Sequence, residues 1–469
     1  MTNIIIDNGK GGATITGGIG VNAVVYSGNE AQYVVYSDGS GGYYVESLAL
    51  GSSPATFDHL TNIQILQFAD QSAAPSSLVI GSLLQAGSGA VTLTGTTGSD
   101  ILLGGSSADT LVGGGGADTV YVNNASDVVQ ETPGQGTATV YVSASSWTAT
   151  SGSAIASVIA QGSANIKLIG NGSAMTLISN TGVDTLDDGG GPATLVGNGA
   201  SDIFIVRNAA TVVQALAGSH ETVQTTLASY TLPANVANLT SIGTASFYGV
   251  GGSVAGTLTG GPGSDTLVSG SAAENLIGGA SSNTFYVNNA NDVITAPSTA
   301  HSVEFAAVSG VRVGVNVAEL AFTGSGNDVG YGNSTAVLLM GNAGNDPLIG
   351  GSGNDTFDGG VGGATLTGGT GTNLFRFDTI TSGADKISNY VSTQDHIGLS
   401  ASGFGLSSLS QVSFEFGTSL NPVAGHANVL YNATTGALYY DAVGGDGHIV
   451  QIATLTTHPT LSSSDFVLS

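Results

Sequence analysis

Residues Gly95 to Tyr121 read as three successive lines of nine, GTTGSDILL, GGSSADTLV and GGGGADTVY. Each line begins with glycine, carries an aspartate in sixth place (Asp100, Asp109, Asp118) and an aliphatic residue in eighth (Leu102, Leu111, Val120). The register tolerates exceptions, with Thr96 second in one line and Ser107 fourth in another. Few folds accommodate such a period. Six glycine-rich residues make a tight turn, because glycine adopts positive φ without a steric penalty. The last three make a short strand whose central side chain points one way while its neighbours point the other. Strand, turn, strand and turn then close one coil of two lines, and coils stack in parallel at about 4.8 Å. The eighth places form the core, and turns i and i+18 lie directly over one another. Stacked carboxylates and free turn carbonyls offer the roughly 6–8 hard oxygens that Ca²⁺ takes.

The pattern recurs well beyond these lines. GGPGSDTLV (Gly260–Val268) and GGSGNDTFD (Gly350–Asp358) fill every defined place. These lines resemble the GGxGxDxUx nonapeptide of the RTX calcium-binding proteins. The resemblance implies Ca²⁺ as the bound ion and a right-handed parallel β-solenoid, of the β-roll or β-helix kind, in an all-β chain. Because stacked turns are two lines apart, candidate ligands come in pairs: Asp100 with Asp118, Asp184 with Asp202, and Asp328 with Asp346. Asp265 with Asn283 and Asp355 with Asn373 are weaker pairs, since asparagine offers a neutral oxygen. On the other flank of the same coils Asp109 stands over Val91, Ala193 over Met175 and Glu274 over Gly256. This asymmetry predicts ions mainly along one edge of several blocks.

A longer period is superimposed. Val120–Val129, Phe204–Val213 and Phe285–Ile294 are one element, recurring at offsets of 84 and then 81. A second element begins at Ile155, Val236 and Val317, at intervals of 81. Residues 86–376 therefore read as three large repeats of nonapeptide blocks and less regular coils. Residues 1–85 form a β region with degenerate lines, Asn8–Thr16 and Gly17–Val25, whose sixth places hold Ala13 and Asn22, so little calcium is expected there. Within it, HLTNIQILQFAD resembles a segment common beside RTX repeats. Residues 377–469, with ADKISNYVSTQDHIGLSAS (Ala384–Ser402) and a closing SSSDFVLS, resemble the C-terminal region of RTX proteins exported by type I secretion. They are expected to form a β-rich cap. That resemblance implies an extracellular or cell-surface location and an uncleaved C-terminal signal. The N-terminus has neither a basic nor a long apolar signal-peptide region.

Charge narrows the partners. Lys and Arg number 6 against 32 Asp and Glu, a net charge of −26, which disfavours nucleic acid and anionic lipid. Charged residues are only 8% of the chain, against about 25% in ordinary soluble domains. Yet no apolar run reaches the roughly 20 residues of a membrane span, so membrane insertion is not expected. There is no cysteine, hence no disulfide framework. The seven histidines form no HExxH, and neither a GxSxG elbow nor a GxxxxGK[ST] loop occurs, so no enzyme is expected. A surface so poor in charge suits a molecule covered by copies of itself. The expected role is a calcium-binding structural protein that self-assembles into a surface layer or an extracellular matrix or biofilm filament. The alternatives are a calcium-dependent adhesin that binds carbohydrate, such as cell-surface polysaccharide, or another cell, and a secreted enzyme with an unrecognised site.

Overall fold

The computed structural model describes residues 2–6, 12–28, 30–47, 57–199, 201–418, 420–444 and 446–469. The first four residues of the Asn8–Thr16 line lie outside them, as do residues 1 and 7. The described chain is built from strands, mostly three to seven residues long; its single α-helix is the one turn Pro75–Leu78. Short β-branched runs bounded by Gly, Asn and Ser leave no stretch long enough for a stable helix.

The chain divides into two compact units, Met1–Thr222 and Val223–Ser469. In the first, strands alternate between faces. Val79–Gln85, Ile101–Leu103, Gly116–Val122, Gly136–Val142, Ile155–Ala160, Met175–Ile178, Ala193–Val196 and Val212–Gln214 follow one another in a parallel sheet. Thr92–Thr94, Thr110–Val112 and Val128–Gln130 stack on another face. The predicted register is present: Thr92 pairs with Thr110, Ile101 with Thr119 and Thr176 with Thr194, each partner one two-line coil further on. The second unit repeats the arrangement, with Leu267 beside Phe285, Leu339 beside Phe357 and Leu348 beside Leu366. The fold is thus a parallel β-solenoid. Among the described residues, antiparallel pairing is confined to the two end regions of the chain. Early on, Tyr43–Ser47 pairs this way with both Tyr33–Ser37 and Asp58–Thr61, and Ile65–Gln67 with Ser72–Ala73. Late in the chain, Ala437–Asp441 does so with both Ala427–Asn432 and Val450–Leu455.

Eighth-place side chains make the core. Leu102, Leu111, Val120, Leu186, Phe204, Leu267, Phe285, Leu339 and Phe357 are fully buried. Each such side chain contributes about 1.5–3 kcal/mol over its exposed state. The coils between blocks depart from the two-line length: Gly136 pairs with Gly116, Lys167 with Ser146 and His396 with Leu374, two to four residues longer, whereas Thr176 pairs with Ser157 one residue longer and Glu319 with Val303 two residues shorter. The extra residues go into the turns. The single tryptophan, Trp147, closes one such coil from inside, its indole N–H donating to the Asp127 carbonyl at 2.9 Å.

Candidate metal centre

A sixth-place side chain in this fold reaches back to the coil before it. One carboxylate oxygen accepts the backbone N–H of the residue directly beneath: Asp118 from Asp100 at 2.7 Å, Asp202 from Asp184 at 2.7 Å, Asp346 from Asp328 at 2.7 Å. Asn283 accepts from Asp265 at 3.0 Å and Asn373 from Asp355 at 3.1 Å through their amide oxygens. The five expected pairs are therefore neighbours in the stack. The second oxygen caps its own turn four residues back. Asp100 takes Thr96 N–H, Asp109 Gly105, Asp184 Asn180, Asp346 Asn342 and Asp355 Gly351, at 2.5–2.9 Å. All of these carboxylates except that of Asp328 are buried.

The one-edge expectation needs correction. Asp109 does accept from Val91, and it also donates its own N–H to Asp127, 2.9 Å away. Glu274 donates likewise to Asp292 at 2.8 Å. Both flanks carry carboxylate pairs, and the partner lies above rather than below. The two-line spacing of Asp109 and Asp127 was the available signal. Asp385 and Asp395 continue the ladders onto Ala364 and Asn373 across spacings of 21 and 22, which a strict period misses. Glu131 follows no period at all.

Asparagine at the sixth place shows what the turn demands. Asn22 takes the Gly18 N–H on its oxygen and directs its amide nitrogen at the carbonyls of Gly18, Gly20 and Asn62, at 2.9–3.2 Å. Asn283 points the same nitrogen at Gly279 and Ser281, at 3.3 and 2.6 Å. Carbonyls at the second and fourth places thus converge beside the sixth side chain and need a positive partner. An amide N–H supplies it in the asparagine coils. In the aspartate coils the sixth place offers no such N–H, only a carboxylate with lone pairs left after its two N–H donors. That is a cation's environment.

Glycine keeps the space open. A Cβ on Gly341 would stand 2.6 Å from the Gly359 carbonyl and 2.7 Å from Asp346 Oδ2. Gly95 and Gly350 likewise face the carboxylate of their own turn, Asp100 and Asp355, and a carbonyl of the next coil, Gly113 and Gly368. Two hard oxygens of different coils therefore meet where only a glycine fits. Among the described residues no group of three or more His, Cys, Asp or Glu is disposed around one point, so backbone carbonyls must make up most of any shell. This suits Ca²⁺, which accepts carbonyl and carboxylate oxygens in a flexible geometry. Asp100, Asp109, Asp118, Asp184, Asp202, Asp265, Asp328, Asp346 and Asp355 fit as its carboxylate ligands. Asn283 and Asn373 do so poorly, because their amide nitrogens already serve the neighbouring oxygens. Burial raises the pKa of Asp118, Asp184, Asp265 and Asp355, so these four carboxyls ionise reluctantly until a cation offsets the cost.

A family model described as the RTX calcium-binding nonapeptide repeat matches residues 94–129, 250–285, 268–296, 322–357, 331–366 and 340–375. These spans include the ladders from Asp100 to Asp127 and from Asp328 to Asn373. No curated protein matches the chain. Among solved structures the chain is similar to the AlgE6R3 subunit of the Azotobacter vinelandii mannuronan C5-epimerase. Identity is 28%, over 31% of this chain and 80% of that one, with a TM-score of 0.23.

Proposed function

This chain carries RTX calcium-binding nonapeptide repeats, and from that premise we propose that it is a secreted structural protein whose calcium-loaded coils assemble into an extracellular layer or filament. Calcium supplies the positive charge that lets buried carboxylates stack. The residues do the rest: sixth-place carboxylates tie coil to coil, and eighth-place side chains fill the interior. RTX proteins are typically exported, and no helix among the described residues is long and apolar enough to cross a membrane.

The observation that carries the assembly reading is the edge at Thr2–Ile6. This strand pairs with Val21–Val25 and is the outermost of its sheet among the described residues, so one side of its backbone has no partner strand. Beside it Ile19 is fully exposed and Val21 is 44% exposed. Natural sheets discourage pairing at such edges with lysine or proline, and these strands contain neither. Strand addition by a second copy is heterologous, so it propagates unless rotation closes it. Light scattering and negative-stain electron microscopy test this. Ordered polymers are expected in millimolar Ca²⁺, and their loss in the folded variant Ile19→Lys/Val21→Lys. A wild-type chain that stays monomeric while folded in calcium would contradict the reading.

One observation favours a second reading, adhesion through an uncharged saccharide. Tyr121 and Tyr141 stack at 5.1 Å beside a cavity of about 430 Å³, lined also by Leu103, Asn123, Ser143 and Gln161. Tyr286 and Phe305 stack in the same way in the third repeat. Aromatic faces flanked by amides and hydroxyls suit a sugar ring. Glycan binding that is lost in Tyr141→Ala, without polymer formation, would favour it.

A further inference from the structure

The ladder of Asp100 and Asp118 stops where the next coil breaks register. Ala138 pairs with Asp118 and stands where the sixth-place carboxylate belongs. A different carboxylate arrives from the turn between them. Glu131, 3% exposed, directs its side chain at Gly113, so that a Cβ there would collide with Glu131 Oε2 and stand 2.5 Å from Asp118 Oδ2. Glu131 Oε1 lies against Gly136, beside the Gly116 carbonyl that approaches the same glycine.

These oxygens lack donors, as Asp265 Oδ2 and Asp385 Oδ2 also do, but here two carboxylates converge. Asp118 Oδ2 and both oxygens of Glu131 are buried without a hydrogen-bond donor. At Asp100, Asp109, Asp184, Asp346 and Asp355 the second aspartate oxygen caps its own turn. Asp118 instead turns that oxygen toward another carboxylate. Leaving three carboxylate oxygens dry and unpaired is costly. Among the described residues no lysine, arginine or histidine pairs with either side chain; Arg207, in the same unit, is engaged with Asp187 at 2.9 Å.

We infer that Glu131 and Asp118 together hold a calcium ion of their own, an irregular site that closes the first block of coils and uses a glutamate from outside the nonapeptide pattern. Glu131 lies beyond the matched residues 94–129. It lies in the lengthened segment between the paired Gly116 and Gly136, and its two oxygens reach Gly113 and Gly136. Two carboxylates and neighbouring turn carbonyls give the hard-oxygen set that Ca²⁺ prefers. The inference rests on the calcium reading of the repeats, and its test separates the two.

The test counts calcium per full-length chain by equilibrium dialysis with elemental analysis, in wild type, Glu131→Gln, Asp118→Asn and Asp346→Asn, each checked for fold by circular dichroism in calcium. Glu131→Gln is isosteric and is expected to bind one ion fewer than wild type, with a lower midpoint of calcium-dependent melting. Asp118→Asn is expected to lose at least that ion, and serves if the glutamine variant does not fold. A full calcium complement in either folded variant, with a reduced one in Asp346→Asn, would overturn the Glu131 site and leave the repeat sites standing. It would mean that the two carboxyls share a proton instead. A wild-type chain that binds no calcium would overturn both.

Discussion

At the residue scale, the sixth place does two jobs that aspartate combines and asparagine separates. Its oxygen accepts an N–H from the coil before, and its second polar atom settles the charge of the turn. Asn283 performs the first job for Asp265 at 3.0 Å and satisfies the turn carbonyls with its own N–H. Asn283→Asp keeps the ladder and exchanges a donor for a negative oxygen, so it should add one calcium per chain by equilibrium dialysis. An unchanged count would show that these carbonyls do not shape an ion site. Asp184→Ala, by contrast, strips acceptors from the buried N–H groups of Ile166 and Asn180. A loss of about 1–3 kcal/mol for each is expected in calcium-saturated melting, with a smaller loss in Asp184→Asn. Glu304 is a buried carboxylate outside the ladders. It pairs with Phe285 on one side and Leu320 on the other, where the core is otherwise apolar, and accepts from Gly314 N–H at 3.1 Å. Burial, and then the charge of Asp292, pushes its pKa up to about 7 from 4.5. The folded state therefore keeps a proton that the unfolded chain has released. The contribution of Glu304 to stability should be fully present below about pH 4.5 and be lost as pH rises through about 7, by an amount on the order of 3 kcal/mol. Glu304→Gln should flatten that slope at saturating calcium. An equal slope in both proteins would assign the pH dependence elsewhere.

At the scale of the element, each strand is too short to stand alone and is held by the coils on either side. Leu186 pairs with Leu168 below and Phe204 above, all three fully buried. Leu186→Ala should cost about 2–5 kcal/mol. Because each coil contacts its neighbours only, hydrogen exchange should rise in Lys167–Ile169 and Ile203–Val206 and change little in Thr92–Thr94. Uniform loss of protection across the first unit would show a more global cooperativity. The regular coils were legible in the sequence because one period fixed both register and core: reading Leu102, Leu111 and Val120 as eighth places gave their burial directly. The irregular coils were not. Their pairing shifts by anything from two residues fewer to four more according to how the turns bulge, and nothing in a nine-residue pattern encodes that. Asp127 and Asp292 were hidden by reading their segments as a separate motif, although each stands two lines after a carboxylate. Glu131 left no trace, since its role depends on a turn folding back over Gly113.

At the scale of the whole molecule, the low charge and the acidity have one explanation. With 32 acidic residues and 6 basic ones, internal ion pairs cannot neutralise the stacked carboxylates. Among the described residues the lysine and arginine side chains make three such contacts, all through Arg207 and Arg376. Bound calcium is then part of the folding free energy rather than an addition to a finished structure. Mg²⁺ should replace it poorly, because it demands a tighter octahedral shell and gives up water reluctantly. The most direct measurement is far-ultraviolet circular dichroism of the full chain, first stripped with chelator and then titrated with Ca²⁺. A weak β signal is expected in chelator, with a steep, cooperative gain on adding Ca²⁺ and little response to Mg²⁺. A full β spectrum in chelator, unchanged by calcium, would contradict it.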